Sequence, residues 1–262
     1  ILIAGVIPGI LTAVVYMSGD ILLVRFNPKL APPVTEKATR SERWKSLGRV
    51  WPIVILIMLV LGGIYTGFFP PSAAGAAGAF GALVFALVLR RGGKGWLGRA
   101  LHESAFISCL IFVILVGGLL LSRMLVVNGV IDHVVDLITS FADTPLKFLL
   151  LVSLMYIILG CFLDTTSMMI VTLPFIFPVV VELDINPIWF GIILVKLIEI
   201  SVVTPPVGIN LFAVMGAVNK QVGFADVYKG VLPFILFDLL VLALLIAIPE
   251  LATWLPDRMI GN

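Results

Sequence analysis

Two short stretches hold the residues best suited to chemistry. One runs from Gly160 to Ser167 (GCFLDTTS) and sets the Asp164 carboxylate beside the hydroxyls of Thr165, Thr166 and Ser167. The other, Thr204-Pro205-Pro206-Val207-Gly208, sets a hydroxyl beside two residues that have no backbone N–H. A proline pair disfavours helix in the residue before it and frees carbonyls upstream. Carboxylate, hydroxyls and freed carbonyls are hard oxygen donors, suited to a hard cation such as Na⁺, for which Asp164, Thr166 and Thr204 are the expected ligands. Exposed half-helix N-termini in the same place would attract an anionic group. A plainer reading stands beside each: Asp164 as the N-cap of the next helix, a role compatible with ion binding, and Thr204-Pro205-Pro206 as a kink. No GxSxG, P-loop, HExxH or CxxC pattern supports membrane-embedded catalysis, so no enzyme is expected.

The elements that must position these residues are membrane helices. Of the 262 residues 61% are hydrophobic and 12% charged, with mean hydropathy +1.19, whereas soluble domains run at about 45–50% apolar and about 25% charged. A water-soluble domain is excluded. The apolar residues come in runs of about 17–25, the length that crosses a bilayer as a helix, so the fold class expected is an all-α polytopic membrane protein. The chain opens at Ile1 inside an apolar run, without Met or a basic leader, and reads as a piece of a longer protein.

Charge orders the segments. Residues 1–24 form a first transmembrane helix with a Pro8-Gly9 break, and 25–50 a basic loop. Residues 51–93 supply two scaffold-like transmembrane helices turned at Pro70-Pro71, 94–104 an interfacial helix lying in the membrane plane, and 105–127 a further transmembrane helix. The loops at 25–50 and 90–99 carry 11 of the 17 Lys and Arg residues, which marks both as cytoplasmic. An even number of spans between the two loops agrees with this. The acidic segment 128–144 then faces outward. A nucleic-acid partner is not expected, because the basic loop lacks interleaved aromatics and lies between apolar spans. Cys109 and Cys161 sit in apolar runs as small buried residues.

Both chemical stretches interrupt spans. Residues 145–181 are cut at Asp164–Ser167, and a re-entrant hairpin entering and leaving from the outer side fits better than two short crossings. Residues 187–219 form a transmembrane helix broken at 204–208, and 230–255 a final transmembrane helix ending near Trp254. Paired interrupted helices with polar breaks at similar depth are the pattern of a secondary transporter. Lys196 and Glu199, three apart, form either a local ion pair or a proton or substrate site; Asp20 and Asp238 are expected in interhelical contacts. The Gly and Ala residues between Gly62 and Gly81 favour close helix packing.

At AGVIPGIL (4–11), GGIYTGFFPPSAAGAAGAFGALV (62–84), GCFLDTTSMMIVTLPFIFPVV (160–180), INPIWFGIILV (185–195) and VVTPPVGINLF (202–212) the chain resembles the large membrane subunit of tripartite ATP-independent periplasmic (TRAP) transporters. The resemblance implies the second of two inverted repeats, each an elevator-type unit with a re-entrant hairpin and a discontinuous transmembrane helix. It implies a Na⁺-coupled importer of organic acids, C4-dicarboxylate or sialic-acid-like, in the bacterial inner membrane, with Na⁺ as coupling ion and no other cofactor. The implied partners are a small four-helix membrane subunit, a periplasmic substrate-binding protein, the N-terminal half of the large subunit and the lipid bilayer. By the same match Gly160, Asp164, Thr165, Thr166, Ser167, Thr204, Pro205, Val207 and Gly208 line a cation and substrate site. The chain departs from the family pattern at Thr165, where Pro is usual, and at 69–74, where Thr-Pro-Thr-Glu-Ala is usual. Two alternatives are another elevator-type carboxylate transporter and a non-transporting membrane scaffold subunit.

Overall fold

The computed structural model describes residues 2–28, 39–89, 93, 95–204, 208, 210–211, 214–215 and 223–260, without the side chains of 40, 42–47, 49, 259 and 260. Its elements are α1 (Val6–Phe26), α2 (Arg40–Tyr65), α3 (Pro71–Val88), α4 (Trp96–Val127), α5 (Val130–Phe141), α6 (Pro145–Gly160), α7 (Thr165–Glu182), α8 (Pro187–Ser201), α9 (Phe224–Ala247) and α10 (Glu250–Ile260). Among the described residues there is no strand. Five helices are long and apolar enough to cross a membrane, or six when α5 and α6, bent by 113°, are taken as one broken span. The chain is an all-α, multi-pass membrane protein.

Helix starts follow local chemistry. Pro71, Pro145 and Pro187 stand in the first turns of α3, α6 and α8, where no backbone donor is lost. Thr144 caps α6 through the Lys147 N–H, and Asn186 caps α8 by accepting from Ile188 and Trp189 N–H groups at 2.9 and 3.2 Å. Pro174 and Pro178 leave α7 unbroken, as membrane helices tolerate.

The sequence expectations differ from the structure at several places. Cys161 is buried as expected, but Cys109 is exposed on the surface of α4. Pro8 does not break α1; it lies in the first turn, where proline fits. The basic segment 25–50 is not all loop, because α2 begins at Arg40 and carries Arg43, Lys45 and Arg49. Of the expected interfacial helix 94–104, residues 96–104 do not form a separate helix, and residue 94 lies outside the described residues. From Trp96 they continue into α4, since their polarity comes from helix-forming Arg, His and Glu with no proline to stop the helix. The run 230–255 is divided at Pro249, which disfavours helix at Ile248 and opens α10.

The chain divides into two compact units. In the unit of residues 32–109, α2 packs on α3. A side-chain carbon at Gly81 would lie 2.7 Å from Leu56, and one at Gly78 would lie 3.1 Å from Val60. Gly62 and Gly75 face open space, so the small-residue stripe is used for packing over part of its length.

The unit of residues 1–31 and 110–262 holds the main core. Phe148, Leu149, Val152 and Tyr156 of α6 meet Met168, Ile176 and Val179 of α7 and Phe190, Ile193 and Leu197 of α8, all buried. Between membrane helices lipid is as apolar as the core, so van der Waals packing of these side chains, not the expulsion of water, is what holds α8 in place. A second cluster around Ile192, Val241 and Leu245 joins α8 to α9, and α1 packs on α9 and α10. Thus α8 is gripped from both sides.

Candidate functional site: hairpin turn and helix break

The turn between α6 and α7, the expected hairpin tip, is built by one carboxylate. α6 ends at Gly160, three residues turn the chain, and Asp164 in an extended conformation starts α7. Its Oδ2 accepts from the N–H groups of Thr166 at 3.0 Å and Ser167 at 3.2 Å. The capping role is therefore real, and the carboxylate sits on the positive end of a helix. Asp164, Thr165 and Thr166 are exposed, and Ser167 is half-buried, so their oxygens line an open surface.

The break after α8 has a different construction. Ser201, fully buried, donates its hydroxyl to the Ile198 carbonyl at 2.8 Å, and Thr204 donates to the Ile200 carbonyl at 2.6 Å. The helix ends in a turn at Val202 and Val203, and the Asn210 N–H donates to the Val202 carbonyl at 3.3 Å. Gly208 has φ +52°, the left-handed region natural to glycine, and is buried against Leu211 and the Val203 carbonyl. The Leu211 N–H bonds the Gly208 carbonyl at 2.7 Å. The expected site residues Pro205 and Val207, with Pro206, lie outside the described residues.

One contact brings the two elements together. A side-chain carbon at Gly160 would stand 2.1 Å from Ser201 Cβ and 2.9 Å from its Cα, so the end of α6 lies against the end of α8 with nothing between. Asp164 follows Gly160 by four positions and Thr204 follows Ser201 by three. Among the described residues no hydrogen bond joins the two breaks; they meet by close packing. No group of three or more His, Cys, Asp and Glu converges among the described residues, so the donor set here is hydroxyls, carbonyls and one carboxylate. A cavity of about 750 Å³ between α4, α7 and α8 offers one hydroxyl, Ser122, in an otherwise apolar lining, and so has no oxygen cage for a cation.

A second polar cluster lies on the other face of α8. Lys196 Nζ bonds Glu199 Oε2 at 2.9 Å, the local pair expected from the spacing, and also bonds Asp238 Oδ1 on α9. The Tyr16 hydroxyl of α1 donates to Asp238 Oδ2 at 2.7 Å. Asp238 makes the expected interhelical contact, whereas Asp20 is exposed. The Lys196–Asp238–Tyr16 link was not read from the sequence. Its signal was a lysine and an aspartate in the middle of separate apolar helices, each needing a partner of opposite sign.

A multi-pass protein in which a capped hairpin turn packs against a helix break has the build of a secondary-transport unit. The chain belongs to the family described as "Tripartite ATP-independent periplasmic transporter, DctM component", which matches residues 1–251; this is a family of transport components, not of enzymes. It is 29% identical over 256 residues to the C4-dicarboxylate TRAP transporter large permease protein DctM of Pseudomonas aeruginosa, covering 97% of this chain and 59% of that protein. It is 29% identical over 259 residues to the sialic acid TRAP transporter permease protein SiaT of Haemophilus influenzae, covering 98% of this chain and 41% of that one. With the sialic acid TRAP transporter large permease protein SiaM of Vibrio cholerae it shares 26% identity over 264 residues, 99% of this chain and 60% of the relative. The chain thus spans between 41% and 60% of the length of these relatives.

Proposed function

We propose that this chain supplies one repeat of the large permease subunit of a Na⁺-coupled organic-acid importer, with the first repeat in the remainder of the subunit. The observation that carries the reading is the contact of Gly160 with Ser201, which sets the hairpin turn against the start of the helix break. In this reading α6 and α7 form a re-entrant hairpin. α6 rises about 24 Å and α7 about 27 Å, against a hydrocarbon core of about 30 Å. Asp164, Thr166 and Thr204 ligate Na⁺ with carbonyls of the break. Gly160, Thr165, Ser167, Pro205, Val207 and Gly208 shape the surrounding surface, and the N-terminus of α7 attracts the substrate carboxylate.

The substrate class follows the relatives, two of which are named for sialic acid and one for C4-dicarboxylates. A periplasmic binding protein delivers the acid, a small four-helix subunit holds the static part, and the unit moves as an elevator in the bacterial inner membrane. The basic segments 25–50 and 90–99 face the cytoplasm.

The test is Na⁺-dependent uptake of succinate and of sialic acid by proteoliposomes holding the complete complex with its binding protein. Wild type should take up one of them only with a sodium gradient, and Asp164→Ala with Thr204→Ala should abolish the sodium dependence. Unaltered sodium coupling in the double variant removes the site from these residues.

A further inference from the structure

We propose that the cavity between α4, α7 and α8 is a phospholipid site, holding one acyl chain with its ester at Ser122. The proposal rests on the membrane fold alone and stands whether or not the chain transports organic acids. The cavity of about 750 Å³ falls within the range of about 300–1,000 Å³ usual for ligand sites. Its walls are α4 and α7, both long and apolar enough to cross a membrane, and α8. At one end of the lining are Ser122, Phe177 and Pro187, near the C-terminal ends of α4 and α7 and at the start of α8. At the other are Leu115, Met169 and Leu194. On each helix the two ends are seven or eight residues apart, a length of about 10–12 Å at about 1.5 Å per residue. The cavity is a slot along the helices, with its mouth where α4 passes into α5. One leaflet's hydrocarbon is about 15 Å deep, half of about 30 Å, so one acyl chain entering from that surface fills the slot.

The chemistry of the lining is graded in the same direction. Among the described residues Ser122 is its one hydroxyl, no charged side chain joins it, and the deep end is wholly apolar. Ser18, Ser153 and Ser201 turn their hydroxyls onto carbonyls three or four positions back in their own helices, the usual outlet for a helical serine. Ser122 makes no hydrogen bond among the described residues. It keeps its donor at the mouth of the slot, the level at which a phospholipid carries its ester carbonyls. An organic acid does not fit this cavity, because nothing in the lining would balance its charge.

Two features select a lipid chain over another helix. Gly118 lies within the stretch of α4 that lines the slot, and a side-chain carbon there would stand 1.9 Å from Ile170 Cγ2 of α7. A further helix, about 10–12 Å across with its side chains, could enter only by lifting α4 off this contact. A polymethylene chain passes beside it. The second feature is α4 itself, which over 32 residues has none buried. Little protein among the described residues covers it, and a bound chain supplies van der Waals surface that α4 otherwise lacks. The floor of the slot at Met169 is five positions beyond Asp164. The chain is therefore a wedge between α4 and the two helices that flank the candidate site.

The experiment is photolabelling of the full-length subunit in nanodiscs of phosphatidylethanolamine and phosphatidylglycerol, with a phosphatidylethanolamine probe that carries a diazirine on one acyl chain. With the diazirine at the chain end, adducts should map to Met169 and Leu194. Leu194 is 4% exposed, out of reach of lipid that merely surrounds the protein. With the diazirine beside the ester, adducts should move to Phe177. Leu119→Trp sets an indole in the slot and should lower the Leu194 adduct by about tenfold or more, since the chain must then compete with an inserted side chain. Ser122→Ala should lower it by about 2–10-fold, the worth of one neutral hydrogen bond. Labelling elsewhere in the subunit should not change, and thermal unfolding checks that both variants fold. Wild type without adducts at Met169 and Leu194 overturns the proposal, because the rest of the subunit then fills the slot. A Leu194 adduct undiminished in the folded variants overturns it too.

Discussion

At the residue scale the site depends on what is missing from one side chain. Gly160 touches Ser201 so closely that any β-carbon must push the helices apart. Gly160→Ala should destabilise the protein by about 1–3 kcal/mol, the usual cost of overpacking a tight interface, read as a lowered midpoint of thermal unfolding in detergent. Ser201→Gly in the same chain should restore most of the loss. Asp164 needs a finer cut, because it caps α7 whatever else it does. Asparagine caps as well as aspartate, so Asp164→Asn should leave stability within about 0.5 kcal/mol while raising the sodium concentration needed for half-maximal uptake. An unchanged sodium requirement would leave Asp164 as a cap and nothing more.

At the scale of elements, α8 is the organising piece, held by an apolar face toward α6 and α7 and by charge toward α9 and α1. Lys196→Met should cost about 3–5 kcal/mol, because it strands Asp238 in an apolar setting, and Lys196→Met with Asp238→Leu should recover most of that. Chemical or thermal unfolding of the two variants measures it. A double variant as unstable as the single one would mean the pair matters through something besides charge. The breaks around α8 were legible in the sequence because they are local: Asp-Thr-Thr-Ser after an apolar run, and Thr-Pro-Pro-Val-Gly inside one. The Lys196–Asp238 pair was not, since it depends on the register of helices 42 residues apart in the chain. Nor was the unbroken course of α4, because polar residues change where a helix prefers to lie without ending it. Pro8 misled for the opposite reason: a breaker in the interior is harmless in a first turn.

At the scale of the whole molecule, the composition that excludes a soluble fold also fixes how orientation is to be tested. In a subunit with Cys109 and Cys161 replaced, single cysteines placed in α5 should react with a membrane-impermeant thiol reagent applied from outside. Those placed between residues 41 and 49 should react only after permeabilisation. The reverse pattern would invert the topology and with it the side from which the hairpin enters. The close packing of Gly160 on Ser201 is the largest part of the candidate site that sequence reading left open, since two breaks at similar depth need not touch.

The ion cluster also bears on how the protein is made. α8 leaves the ribosome before α9, so Lys196 must enter the membrane before Asp238 exists to meet it. At about 5–20 residues per second the interval of 42 residues lasts about 2–8 s, during which a lone lysine at the centre of a helix would oppose insertion by about 2.5–3.5 kcal/mol. Glu199, one turn along the same helix, is in place from the start. It acts as a first counter-ion that accompanies Lys196 into the bilayer, and it stays bonded to the ammonium at 2.9 Å after Asp238 arrives.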